Sequence, residues 1–248
     1  ILSDKKEEHE NFKCKDIRNK EDVIETLLSS GLWPLIRQKP YSVIPDPNDI
    51  PKSIFISSFD SSPLAPYYNF ILKDHEDDFQ NGIDIISRLT KGKVYLNIDA
   101  NSDQHNIFNN ITGVVTNIFS GPHPSGNVGV QIHHIKPINK GDKVWYINPQ
   151  DVITISRLFR SGKVNPFKTI AITGSDVISP KYIKTRIGSS VKELLENKLK
   201  SNKGRVISGN ILTGKNVTIN GFVGFYDSQI TVLPEGDSHR FFGWLFPG

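Results

Sequence analysis

Apolar and polar positions alternate along the chain at two periods, and the periods predict its elements. Residues 19–31 carry a helical stripe. Asn19 stands at a capping position, Asp22 in the first turn, Val23, Ile24, Leu27 and Leu28 on one face, and Gly31 at the end. Residues 34–51 hold five prolines and predict an extended loop. Residues 53–59, SIFISSF, predict a strand. Phe79, Ile83, Ile86 and Leu89 define a helix over about 77–90 that Gly92 stops, and KVYLNI at 93–98 predicts a second strand. Another strand or two are expected between residues 113 and 134. The best-marked helix follows Asn148. Asn148 caps it, Pro149 takes the first helical position, Asp151 sits at the positive end, Val152, Ile155, Leu158 and Phe159 form the buried stripe, and Gly162 closes it. Helices alternating with short strands predict an α/β layer to about residue 162.

The rhythm then changes. Residues 168–173 predict a strand. Ser190 and Glu193 form a capping box ahead of a short helix with Val191, Leu194, Leu195 and Leu199. Further β segments are expected at 205–212 and 221–233. Strands, one helix and strands again predict a small α+β unit over residues 163–248. The chain shows no internal repeat.

Residues 119–137, FSGPHPSGNVGVQIHHIKP, read as a shaped loop that runs into the apolar alternation Val128, Val130, Ile132, taken as strand-like. Gly121, Pro122 and Pro124 fix how the chain turns. His123, His133 and His134 raise the question of a metal. On a strand His133 and His134 point to opposite faces, and no cysteine or acidic residue is near, so hydrogen-bonded structural histidines are the favoured reading. The loop glycines would let a backbone approach a phosphate, but the loop has neither the GxGxxG fingerprint nor a P-loop lysine, and a structural turn is favoured. Residues 57–63 follow a strand, where open sheets place ligands. Asp60 there either orients a ligand or anchors the turn.

Composition narrows the function. The 248 residues are 37% apolar and 23% charged, which suits a globular chain. No apolar run nears the roughly 18 residues of a spanning helix. A formal charge of +4 comes from 30 scattered basic residues with no basic block, so no nucleic-acid partner is expected. Cys14 is the single cysteine, which excludes an internal disulfide and points to a reducing compartment. The chain has no methionine, opens on Ile1-Leu2 and stops at Pro247-Gly248, and it reads as an internal fragment of a longer protein. No GxSxG or HExxH signature occurs, which favours a binding or scaffolding chain over a self-contained enzyme. Aromatic residues gather at Trp145-Tyr146, Phe222, Phe225-Tyr226 and 241–246. A planar ligand, a core or a partner interface each accounts for them.

Six segments, in order SGLWPLIRQKPYSVIPDP, SIFISSFDSSPLA, FSGPHPSGNVGVQIHHIKP, VWYINPQDVITISRLFRSG, VISGNILTG and FFGWLFPG, resemble the hydrophilic A-type subunit of the bacterial sodium-translocating NADH:quinone reductase. The resemblance runs from about residue 23 to 248. It implies a Rossmann-like α/β domain over 1–162, related to the flavin subunit of complex I, and a β-grasp domain of the soluble-ligand-binding type over 163–248. It also implies a peripheral subunit on the cytoplasmic side of the bacterial inner membrane, docked on other subunits of the complex, above all the membrane subunits. Flavin and iron–sulfur groups then belong to those partners. This chain holds no firmly bound cofactor, metal or catalytic residue, with quinone as a ligand it would touch. The residues chosen for such contact are Phe119, His123, His133, His134, Phe225 and Tyr226. The competing reading is a stand-alone protein that binds a quinone or nucleotide.

Overall fold

The computed structural model describes residues 10–12, 14, 19–102, 107–201 and 204–236. They fall into two compact units, one drawn from residues 1–62 and 66–166, the other from 63–65 and 167–248. Among the described residues no helix is long and apolar enough to cross a membrane.

The first unit is built on a five-stranded sheet. Its strands are β1 (Arg37–Lys39), β2 (Ser53–Ser57), β3 (Lys93–Asp99), β4 (Val115–Phe119) and β5 (Val144–Tyr146). Their spatial order is β1-β5-β2-β3-β4. β5, β2, β3 and β4 are parallel, and β1 joins the edge antiparallel, with Gln38 opposite Trp145. β2 and β3 read as apolar runs because both faces are covered. On one face Ile54, Ile56, Leu96 and Trp145 pack with α1 (Lys20–Ser29), α3 (Glu76–Ser87) and α5 (Pro149–Ser161). On the other Phe55, Tyr95 and Val144 meet Ile132 of α4 (Val128–Ile135). A four-residue helix, α2 (Tyr68–Ile71), lies between β2 and α3.

The expected caps are present. Asn19 accepts from the Asp22 amide and Asn148 from the Gln150 amide, while Gly162 ends α5 in the left-handed region at φ 68°. β1 lies inside the proline-rich stretch expected to be loop. It forms there because Trp33 and Trp145, ring centroids 5.5 Å apart, pack edge to face, and the Trp145 indole donates to Gln38 Oε1 at 3.0 Å. The larger correction concerns residues 128–135. The apolar alternation taken as strand-like is α4, whose N-cap Asn127 accepts from the Gly129 amide. Val128, Ile132 and Ile135 are spaced three and four apart, so one face of a helix buries them as readily as alternate positions of a strand would.

α3 and α5 are held by an ion cluster. Arg157 Nε donates to Asp78 Oδ2 at 2.9 Å and Arg160 to Oδ1. Burial alone would push the Asp78 carboxyl up. The hydrogen bonds and charges of Arg157, then Arg160, outweigh it and hold Asp78 below the ordinary aspartate value. A lowered folded pKa stabilises above the unfolded value, about 3.9, and the stabilisation is lost as pH falls through the folded one. Asp78→Asn should therefore cost about 1 kcal/mol at pH 7, with half-exposed partners discounted, and urea titrations of the two proteins should converge as pH falls through the lowered folded value. A gap that does not narrow as the pH is lowered from 7 into the acid range would show that the charge is not the cause.

The second unit holds β6 (Phe167–Thr173), β7 (Lys181–Arg186), α6 (Val191–Leu195), β8 (Gly204–Ser208), β9 (Lys215–Val217) and β10 (Gln229–Pro234). The strand order is β7-β6-β10-β8-β9. β6 and β10 are parallel, and the other pairs antiparallel. Val191, Leu194 and Leu195 of α6 cover Ile170, Ile172, Val206, Ile230 and Val232. The Ser190 side chain makes no capping bond, and α6 ends by residue 196, short of the expected Leu199. Of the β segment expected over 221–233, only the part from Gln229 is strand. The rest is a loop stapled by Ser208, whose hydroxyl donates to Asp227 Oδ2 and accepts from the Gly224 amide at 2.8 Å.

Candidate functional site

The parallel strands of the first unit end together, and three chain segments meet there: the turn after β2, the turn after β3 and the loop from β4 into α4. β4 is followed by a helix on one face of the sheet, while the helices after β2 and β5 lie on the other. Such a divergence at the carboxyl edge is where open sheets place their ligands.

A chain of side-chain amides fills this edge. Asn117 Nδ2 donates to Asn97 Oδ1 at 3.1 Å, and Asn97 Nδ2 donates to Gln131 Oε1 at 2.8 Å. Gln131 Nε2 then reaches Ser57 Oγ at 2.9 Å and the Ser125 carbonyl at 3.1 Å. Asn97 and Gln131 have no exposed surface. Three strands and α4 are thereby bolted together by groups that satisfy one another in place of water.

The loop is tied a second time. The Gly126 amide donates to Ser61 Oγ at 2.8 Å, and Ser61 Oγ lies 3.1 Å from His123 Nδ1. A β-carbon on Gly126 would come within 2.4 Å of the Ser61 amide nitrogen, so only glycine allows this approach. The His123-Pro124 peptide is cis. Asp60 Oδ1 accepts from the Ser62 amide at 2.8 Å, which is the turn-anchoring role. The Ser62 hydroxyl is buried with no hydrogen-bond partner among the described residues.

The chosen contact residues are divided between the two units, four in the first and two in the second. Phe119 ends β4 and is half-buried, and His123 is exposed on the tied loop. His133 and His134 are exposed in the last turn of α4, ring centroids 5.7 Å apart. A helix of eight residues spans about 12 Å, so the α4 histidines do not join His123. On a helix His133 and His134 stand about 100° apart, not on opposite faces. Phe225 and Tyr226 belong to the second unit, where their rings meet edge to face at 4.9 Å with each about two-fifths exposed. The aromatic run at 241–246 lies outside the described residues. Among the described residues no group of three or more histidines, cysteines or acids is placed to hold a metal. The amide chain was not among the residues chosen from sequence. Its signal was present: Asn97 interrupts the apolar run KVYLNI, and Gln131 interrupts VGVQI.

The geometry defines an open-sheet α/β protein whose strand-end site is closed by its own side chains, followed by a unit built on a small mixed sheet. The profile of the family described as "NqrA second alpha/beta domain" matches residues 18–164, and that described as "NQRA C-terminal domain" matches residues 169–218. The chain belongs to the NqrA family. It is 38% identical over 231 residues to the A-type subunit of the Na(+)-translocating NADH-quinone reductase of Tolumonas auensis, covering 93% of this chain and 51% of the relative. To the protein of the same name from Hahella chejuensis it is 38% identical over 251 residues, covering 100% and 56%. The chain thus spans about half the length of these curated relatives. Among solved structures it is similar to a chain of the NAD+-reducing [NiFe]-hydrogenase in the air-oxidized state, with TM-score 0.59, 9% identity, and 88% and 47% of the two chains covered. The H2-reduced state gives TM-score 0.57 at 9% identity, over 87% and 47%. This is a likeness of fold.

Proposed function

We propose that this chain is part of the NqrA component of a sodium-translocating NADH:quinone reductase. It serves there as a peripheral docking and scaffolding subunit on the cytoplasmic side of the inner membrane. The observation that carries the proposal is the family match across residues 18–164 together with 38% identity to named subunits over nearly the whole chain. NADH oxidation, quinone reduction and sodium export are activities of the complex. Its flavin and iron–sulfur groups reside in partner subunits. Two features support that division of labour. The turn after β2, residues 58–63, has no glycine with which to approach a pyrophosphate, and one cysteine is too few for a cluster.

The domains are Rossmann-like over 1–162 and β-grasp over 163–248. Support for the first is the parallel order β4-β3-β2-β5, which is the three-two-one-four order of a mononucleotide-binding half. Support for the second is the parallel pairing of its first and last strands, β6 and β10, at the sheet centre beneath α6. The loop around Phe119 and His123, the histidines of α4 and the Phe225–Tyr226 pair remain the residues offered for quinone contact in this reading.

Affinity purification of the tagged full-length protein from solubilised native membranes tests the proposal. Recovery of membrane subunits and a flavin- and iron–sulfur-bearing NADH dehydrogenase component is the expected result. Recovery of the protein alone, from the soluble fraction, would sink it.

A further inference from the structure

β7 is an outer strand of the second sheet. It pairs with β6 from Phe167 opposite Arg186 to Ile172 opposite Lys181, and among the described residues no strand pairs with its other side. In an antiparallel ladder alternate residues turn their N–H and C=O groups away from the partner strand, so this edge presents a row of backbone donors and acceptors. The strand runs six residues without proline or glycine, a length that suffices to template another strand.

The two faces of β7 differ. Ile183 stands opposite Ile170 and packs against the core that α6 covers. Tyr182, Lys184 and Arg186 share the other face. There the Lys184 ammonium lies 5.8 Å and the Arg186 guanidinium 5.6 Å from the centroid of the Phe167 ring, which holds both cations along the edge. β6 and β7 carry Lys168, Lys181, Lys184 and Arg186 and no acidic residue, and no acid occurs from residue 177 to 192. Lys181 and Lys184 are exposed and form no ion pair among the described residues. Lysines on an edge also keep copies of one protein apart, and antiparallel self-pairing about the strand centre would set Lys181 against Arg186. That disfavours a second copy. An anionic lipid surface would meet the charge but leave the backbone row without partners.

We propose that the free edge of β7 takes up an extended acidic segment of a partner protein as an added strand. Positions beside Lys184 and Arg186 lie two residues apart, so the segment carries acids at alternate positions. The residue between them is apolar and lies on the side of Ile183 and Thr185. Backbone bonds supply the affinity and the acids set the register. The inference gives the docking role proposed above a surface, and it rests on that reading for the partner being a protein.

The test is an NMR titration of the full chain with a capped seven-residue peptide of alternating valine and glutamate. The expected result is saturable shifts of the amide resonances over residues 181–186, weakened by added salt. The same peptide N-methylated at two consecutive central residues, one of which must face β7, keeps its charge and loses strand pairing. It should bind about tenfold more weakly. Lys184→Glu, on an exposed side chain that does not threaten the fold, should weaken the glutamate peptide about fivefold. Equal binding of the N-methylated peptide would reduce the contact to charge attraction and overturn strand addition. Wild-type affinity in Lys184→Glu, shifts centred outside β7, or absence of saturation would each overturn the edge as the site. Sedimentation with phosphatidylglycerol–phosphatidylcholine vesicles that Lys184→Glu abolishes, with no saturable peptide binding, would assign the face to lipid and overturn the proposal. These measurements need no membrane complex, so they judge the edge, while affinity purification from membranes judges the docking role.

Discussion

Replacing Gln131 with leucine is expected to destabilise the first unit by about 3 kcal/mol and to loosen the loop after β4. Leucine is somewhat larger than glutamine and branched, so no cavity opens, and the loss of polar partners is the main term with a smaller one from repacking. Asn97 Nδ2, with no exposed surface, would lose its acceptor, and the half-buried Ser57 Oγ and Ser125 carbonyl would lose their donor, although Ser57 Oγ still donates to the Phe59 carbonyl. Each orphaned buried group costs about 1–3 kcal/mol, and hydrogen bonds that polarise one another fail together. The loop keeps its ties to Ser61, through the Gly126 amide and His123, and the Ser57 hydroxyl still donates to the Gly126 carbonyl. Hydrogen exchange at the Gly126 amide should therefore speed up by more than global destabilisation alone requires, because Ser125, its neighbour, has been released. Urea unfolding followed by the buried Trp145 measures the first effect and exchange the second. A loss under about 1 kcal/mol with unchanged exchange at Gly126 would show that water replaces the glutamine and that the bolt is not structural.

That network marks where the sequence was readable and where it was not. Local signals carried the long helices. Phe79, Ile83, Ile86 and Leu89 recur at helical spacing, and Asn19, Asn148 and Gly162 are stop and start signals that act within four residues. α4 was misread because Val128, Val130 and Ile132 satisfy a period of two as well as Val128 and Ile132 satisfy a period near four. Only its cap, Asn127 on the Gly129 amide, separates the two, and an asparagine beside glycines also reads as a turn. β7 and β9 were missed for a different reason. They are edge strands, their side chains are largely exposed, and KYIKTR and KNV carry no sustained apolar alternation. The strand-end site depended on contacts between residues 34 and 74 positions apart, Asn97 with Gln131 and Ser57 with Gln131. Polar residues inside apolar runs were visible; which of them meet was not.

Gly82→Ala is a substitution for which local and tertiary physics disagree in sign, and the structure requires the tertiary one to win. In an exposed helix interior alanine is better than glycine by about 1 kcal/mol. Gly82, buried at the centre of α3, faces α5. A β-carbon there would stand 2.5 Å from the Val152 carbonyl oxygen, 2.5 Å from Val152 Cγ1 and 3.1 Å from its carbonyl carbon. A side-chain methyl yields at small cost, but a helical carbonyl does not, so α3 and α5 must move apart. Separation would stretch the Asn81 Nδ2 to Ser156 Oγ bond, now 2.9 Å, and the Asp78–Arg157 pair, which lie on the same helix interface. The expected net effect is a loss of about 2–4 kcal/mol, the range of overpacked cores plus a weakened polar contact. Val152→Ala should fail to rescue it, since the carbonyl oxygen stays in place. Thermal unfolding of the single and double variants decides the matter. A Gly82→Ala protein that melts above the parent would mean the helices do not approach this closely, and a rescue by Val152→Ala would assign the clash to the side chain rather than to the backbone.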